Sequence, residues 1–595
     1  MIRFANWRLP SALAGLASLC CLPAAAQSPW PQDTKNPSLV IEAIPFPANY
    51  MNMGAAFLSD GRMVVTNAAE ETTNGEIPGT NANSLVTIVS GISGDMSALA
   101  SKKIADMFHQ PSGVTVVEDK VYVAERDGFY RINTLDNPAN TGANKTKVIG
   151  WPTPEAGFQW VNGEQWHQWV MTPMYYGGKF YGPYGGTTQP GGRAGASATT
   201  SFSGAFLSWA PDGAGGLTKV AGGLRQPNGM TLGANGQMFV TDNQGGWLPA
   251  CSFQLIKPGK TYGYKQMSGF KANWAETLPY EPPIAWLVDG VHQSASQPMY
   301  LDRGPYAGDF IIGDVNAPGL SRVNMDKIAE GTYNGGLFFF TGGFATGAVN
   351  RLTLNPKEDW FVAGTFLAQG DWPSGAAKPM YRVKFSAANL PFEMREIHSR
   401  QGGVEIVFSQ PLDPASAVPA SFSLQQWHYN RTVEYGCCID QKGNPFTPAS
   451  VKLSDDKKRL FIGSSDLTAA SERELKITAA GIKSAGGGAL FQTTAYFTHN
   501  YQSTTAFDAA VAVRPAAAAL PDLSGALRVS AAAGLRVHVS VDGAYRLSLL
   551  ALDGKLLSAQ SGRAPRDFAF PASAHGLRLL RIESSGAVFT RPVPD

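Results

Sequence analysis

Charge is the first thing this sequence is short of. Only 16% of its 595 residues are Asp, Glu, Lys or Arg, where a soluble globular chain averages about a quarter. The formal net charge is +2, and Arg3 and Arg8, both close to the N-terminus, account for it. There is no polybasic run, which argues against nucleic acid or an anionic membrane surface as a partner. Cysteine is scarce too. Of five in all, Cys20 and Cys21 fall in the leader, so only Cys251, Cys437 and Cys438 remain. That number excludes a disulfide framework in a chain this long. Long apolar runs are missing as well: Leu9 to Pro23 is bracketed by Pro10 and Pro23, short of the ~20 residues that span a bilayer. Preceded by the positive stretch Met1 to Arg8 and followed by Ala24-Ala25-Ala26 before Gln27, it reads as a secretory signal cleaved after Ala26. The protein is therefore expected to be exported, to the periplasm, the cell surface or the medium, with no transmembrane segment. No C-x-x-C metal spacing, haem C-x-x-C-H, G-x-S-x-G, H-E-x-x-H or Walker loop occurs.

What fills the space instead is glycine (65), proline (40) and aromatic residues, 11% of the chain, a balance typical of all-β proteins. Six segments share one pattern: a small or polar start, a hydrophobic strand, a turn carrying Gly, Asp or Asn, and a second strand. They begin at Gly54, Pro111, His167, Pro227, Ser296 and Gly347, spaced 51 to 69 residues apart. Each is an antiparallel hairpin by its alternation. A hairpin recurring at this period, with room for two more strands per unit, is a propeller blade. The expectation is a six-bladed β-propeller over residues 38–390. Short alternating strands at sandwich spacing follow over 392–500, expected as an immunoglobulin-like β-sandwich. An Ala- and Pro-rich linker covers 501–523. A small β unit over 524–595 resembles the C-terminal sorting or attachment tails of bacterial secreted proteins, which implies attachment at the cell surface.

In a propeller, functional side chains come from the loops that lead into the blades and converge on one funnel. His167, flanked by Trp166 and Trp169, leads into the third repeat. Arg225 and Gln226 lie just before the fourth, and Asp242, Asn243, Gly245 and Gly246 follow its hairpin. These segments, with Thr261-Tyr262-Gly263-Tyr264, Asp309 to Val323 and Gly347 to Leu352, resemble the soluble quinoprotein glucose/sorbosone dehydrogenase family, six-bladed propellers that bind pyrroloquinoline quinone (PQQ). The resemblance implies that His167 is the general base taking a sugar hydroxyl proton as hydride leaves for the quinone. It implies that Arg225 and Gln226, with Arg322 and Arg351, face the cofactor, and that the carbonyls of Gly245 and Gly246 hold a Ca²⁺. A separate electron acceptor, unidentified, would then be needed. The sequence departs from the family pattern in carrying Gln226 where Asn is common, and in lacking an acidic stretch after Asp242.

Plainer readings stand beside this one. A His between two Trp serves as a packed core residue, Arg225 as a ligand of blade carbonyls, and Asp242 and Asn243 as ordinary turn residues. His292, ahead of the fifth repeat, is a further candidate for the funnel. Ten of the 13 Trp lie between Trp151 and Trp372. Indole rings stack on sugars, which suits a sugar or glycan partner, but they also pack blades together. Two functional alternatives therefore remain: a non-catalytic propeller gripping a glycan or a protein, and a Ca²⁺-dependent lactonase-like hydrolase, whose Ca²⁺ would be held by funnel acids and amides and for which a ring of Asp, Glu and Asn in the funnel would be diagnostic.

Overall fold

A computed structural model describes residues 30–510 except 31–32, 46–50, 69–83, 109–110, 153–169, 187–201, 266–273, 317–318, 345–347, 368–375, 378, 434–438, 441–442 and 468–471, together with the strands of 527–593. Among them the only helical elements are four short 3₁₀ turns; the rest of the regular structure is strand. Six antiparallel four-stranded units form the propeller. Their inner strands are Met51–Phe57, Gly113–Val117, Met174–Tyr176, Pro227–Leu232, Ala295–Tyr300 and Ala348–Leu354, so every hairpin expected from the repeat opens a blade. The ring closes with a strand from the other end of the chain. Leu39–Ile44 pairs with Met380–Phe385, from Leu39 opposite Phe385 to Ile44 opposite Met380, and supplies the sixth blade's outer edge.

Apolar side chains lie between neighbouring blades, since each sheet buries both faces. Val64, Val86 and Phe108 of blade one meet Val114, Val121 and Tyr130 of blade two. The last pairing, blade six on blade one, is made by Trp360 and Val362 against Met63 and Val65. Trp151, Trp209 and Trp360 are buried in such seams, and Trp286 is buried against Tyr429 of the unit that follows the propeller. These tryptophans belong to the packing and are not free to stack on a sugar.

The inner strands run side by side down the axis, and their levels can be matched through their pairing with the second strands. Gly54, Gly113, Thr172, Gly229, Gln297 and Arg351 form one tight level: a Cβ on Gly113 would lie 2.6 Å from the Cα of Thr172, and one on Gly229 2.8 Å from the Cβ of Gln297. Below it the composition alternates. Blades two, four and six carry Thr115, Thr231 and Thr353; one level further, blades one, three and five carry Phe57, Tyr175 and Tyr300. Each threonine ties its blade to the next. Thr115 donates to the carbonyl of Pro173, Thr353 donates to that of Ala55 at 2.9 Å, and Thr231 accepts from the N–H of Tyr300 at 3.4 Å. These three bonds join blade two to three, four to five and six to one.

The two-sheet unit that follows is fused to blade five. The outer strand of that blade, Thr332–Thr341, is ten residues long and continues into pairing with Thr494–His499, giving one eight-stranded sheet shared by propeller and sandwich. The opposing sheet comprises Met394–Arg400, Gly403–Phe408, Arg459–Gly463 and Ser450–Leu453. Further on, strands between Leu527 and Val593 form a three-stranded and a four-stranded sheet. No helix among the described residues is long and apolar enough to cross a membrane.

Candidate functional site

The throat of the propeller is filled by one side chain. Arg351, at the start of the sixth blade's inner strand, is 1% exposed. Its Nε donates to the carbonyl of Met53 at 2.9 Å. Its Nη1 donates to the carbonyls of Asn228 and Asn350 at 3.2 and 2.9 Å, and to their Oδ1 atoms at 3.0 and 2.7 Å. Its Nη2 reaches the carbonyl of Ser112 at 3.3 Å and the sulfur of Met171 at 3.7 Å. One guanidinium therefore touches chain from blades one, two, four and six and the approach to blade three. The fork geometry of Arg makes this reach feasible; Lys could not make it. Gly54, Gly113 and Gly229 leave the room. Burial without a carboxylate partner pulls the Arg351 pKa down to about 9.

Around this plug the polar side chains are amides: Asn52, Asn67, Asn228, Gln244 and Asn350 are all buried, with Gln226 and Asn243 half-buried above them. The Oδ1 of Asn52 is buried without a hydrogen-bond partner among the described residues. The acids at the same height are committed to the backbone. Asp242, closing the second strand of blade four, accepts the N–H groups of Arg225 and Gln226 at 2.8 and 2.7 Å. Asp314, at the matching place in blade five, accepts those of Gln293 and Ser294, both at 2.9 Å. Each carboxylate thus pins the segment leading into its own blade. Burial pushes the Asp242 pKa up to about 7, against the pull of those amides and of Arg225.

The candidates drawn from the sequence separate accordingly. His167, Trp166 and Trp169 lie outside the described residues. Arg225 is at the funnel end of blade four, where its Nη1 donates to Gln226 Oε1 at 2.9 Å and to the carbonyl of Gln244. Arg351 is central but spends its donors on carbonyl and amide oxygens. Arg322 is elsewhere: it lies in the third strand of blade five, bonded to Asp309 and to the carbonyls of Arg395 and Met394, all at 2.7–2.9 Å, and stacked on Phe338. It faces the sandwich, so it is a junction residue and not a cofactor ligand. His292 is buried too, its Nδ1 3.3 Å from Asp314 and its Nε2 2.6 Å from Ser321 Oγ. This Asp–His–Ser chain is enclosed within one blade and braces it. Asn243 bridges blades four and five by donating to Ser294 Oγ at 3.0 Å.

These placements do not fit a quinone held with calcium. The Gly245 carbonyl already accepts the N–H of Leu248 at 3.1 Å in a tight turn. A Cβ on Gly245 would come within 2.1 Å of Arg225 Nε, so the guanidinium packs directly on this glycine. Among the described residues no group of three or more His, Cys, Asp or Glu could hold a metal ion. The amide ring of the throat, with Asn in the segments that open blades one, four and six, was not singled out from the sequence. Aligning Asn52, Asn228 and Asn350 across the repeats is the signal that would have found it.

No family model matches this chain, and no curated protein does. Solved structures resemble part of it. They include the PQQ-bound aldose sugar dehydrogenase of Streptomyces coelicolor (14% identity, 59% of this chain and 99% of that one, TM-score 0.40). The PQQ domain of pyranose dehydrogenase from Coprinopsis cinerea is another (10%, 61% and 99%, TM-score 0.38). A third is an α-L-arabinanase of Penicillium chrysogenum complexed with arabinobiose (11%, 60% and 99%, TM-score 0.36). Similarity at this level carries no argument, and the six-bladed architecture rests on the chain's own sheets.

Proposed function

We infer that this protein is an exported propeller that binds a neutral sugar or glycan at the funnel end of its axis, without oxidising it. The observation that carries the reading is the pair of half-buried amides, Gln226 and Asn243, at the funnel end of the plugged throat. Asn and Gln side chains both donate and accept, which matches sugar hydroxyls, whereas the acids of that level are bonded to backbone. Hydride transfer to PQQ, which the sequence resemblance implies, would need cofactor-facing guanidinium groups. Arg351 and Arg322 have theirs committed to backbone carbonyls and, for Arg322, to Asp309, and Arg225 at the funnel end turns its Nη1 to Gln226 Oε1 and the Gln244 carbonyl. A lactonase-like reaction would need a Ca²⁺ held by funnel acids and amides; against it, Asn228 and Asn350 turn their Oδ1 atoms to Arg351, and Asp242 and Asp314 accept backbone N–H groups. The test is direct. Purified protein is titrated calorimetrically with aldoses and short glycans, and separately given PQQ and Ca²⁺ with a reducible dye. Heat of binding with a sugar, weakened by Gln226→Leu, is expected together with no bound-quinone absorbance and no dye reduction. Sugar-dependent dye reduction at saturating PQQ would overturn the reading in favour of a dehydrogenase.

A further inference from the structure

The axis holds a second site, on the far side of the Arg351 plug from the funnel. There the inner strands enclose a cavity of about 370 Å³, within the range of roughly 300–1,000 Å³ that small-molecule sites occupy. Phe57, Met174, Tyr175, Met299 and Tyr300 give it apolar and aromatic walls, and no Asp, Glu, Lys, Arg or His lines it. The hydroxyls of Thr115 and Thr353 are turned to neighbouring strands and hold the wall together.

Its ceiling is different. Gln297 and Thr172 line the cavity at the level directly beneath the guanidinium. Gln297 is 6% exposed, and its amide has no hydrogen-bond partner among the described residues. Thr172 Oγ accepts the N–H of Met230 at 2.9 Å and keeps its own proton to donate. Above both lies the Arg351 charge, which no carboxylate faces. Two free donors at the end of an apolar pocket, with a guanidinium behind them that meets only dipoles and no carboxylate, make a place for an anion with a hydrophobic body. The desolvation of such an anion is offset because its charged end meets donors already fixed in place.

We propose that this axial cavity binds a small organic carboxylate, its carboxylate toward Gln297, Thr172 and Arg351 and its aromatic or aliphatic body between Tyr175, Tyr300 and Phe57. The site lies on the other side of the Arg351 plug from the funnel end, where the sugar is proposed to bind. It is tested on the full chain with three probes of one shape, benzoate, benzamide and benzamidinium, followed by ligand-observed NMR. Benzoate is expected to bind about tenfold more tightly than benzamide, since it alone brings a full charge to the cation, with benzamidinium showing no binding. Gln297→Leu should weaken benzoate more than benzamide. Ala56→Phe, which adds a ring at a half-buried lining position, should abolish binding of both while the protein still melts cooperatively. Equal affinity for benzoate and the neutral or cationic probe, no benzoate binding at millimolar concentration, or unchanged binding in folded Ala56→Phe protein would overturn the proposal.

Discussion

Two buried arginines, one on the axis and one at the junction with the sandwich, solve the same problem in opposite ways. Arg322 is paired with Asp309 and adds two backbone carbonyls. Arg351 has no acid and is neutralised only by the dipoles of carbonyls and amides. An ion pair holds two segments at a fixed separation, which suits joining one blade to one sandwich strand. A set of carbonyl contacts holds as many strands as the guanidinium has hydrogens, which suits closing a ring. The difference teaches that charge pairing and multivalent hydrogen bonding are alternative ways to bury an arginine, and that geometry selects between them.

Breaking the axial member should have the larger effect. Arg351→Met leaves several buried carbonyls without donors, so a loss of about 5 kcal/mol, or failure to accumulate folded protein, is expected; chemical denaturation measures it. Arg322→Met strands Asp309, whose carboxyl burial already pushes up to about 6, and should cost about 3 kcal/mol. Arg322→Met combined with Asp309→Leu should recover much of that loss, while no single partner exists to rescue Arg351→Met. The comparison fails if the two single variants melt alike.

A smaller, pH-linked effect sharpens the junction side. His398, in the first sandwich strand, has one ring nitrogen 3.0 Å from Asp326 and the other 2.8 Å from Glu396. Burial would lower its pKa, but bonding to the two carboxylates outweighs this and raises it to about 9. A pKa raised above the unfolded value stabilises the fold fully below about pH 6.5 and is lost as pH climbs through 9. Melting temperature should therefore decline over that window, by no more than about 1.4 kcal/mol of stability per pH unit. His398→Gln should flatten the slope, and the axial contacts of Arg351 predict no such dependence below pH 8.

The hairpins were legible because each is local: a second strand returns within a few residues, and the alternation of Met230, Val240 and their neighbours announces it. The throat was not. Arg351 meets Met53 across 298 positions, Ser112 across 239 and Asn228 across 123, so nothing near it in the chain hints at its partners. Arg322 misled for a related reason. It follows a blade-like Gly313-Asp314 motif, yet its strand is the third of the blade, where the side chain turns outward. The sixth blade's outer edge is also unannounced, since Leu39–Ile44 finds Met380–Phe385 only once the circle closes. Gly245 was visible as a turn residue and opens a tight turn, whereas Asp242, expected in a turn, ends a strand and pins the entry to its own blade.

The sheet that blade five shares with the sandwich also settles how the molecule answers a load. No loop stands between ring and sandwich at that edge, because Gly335 to Phe338 are hydrogen-bonded alongside Ala495 to Thr498. Tension arriving along the chain after His499 therefore meets paired strands drawn lengthwise past each other, with many bonds strained at once, and the propeller and its neighbour yield together or not at all.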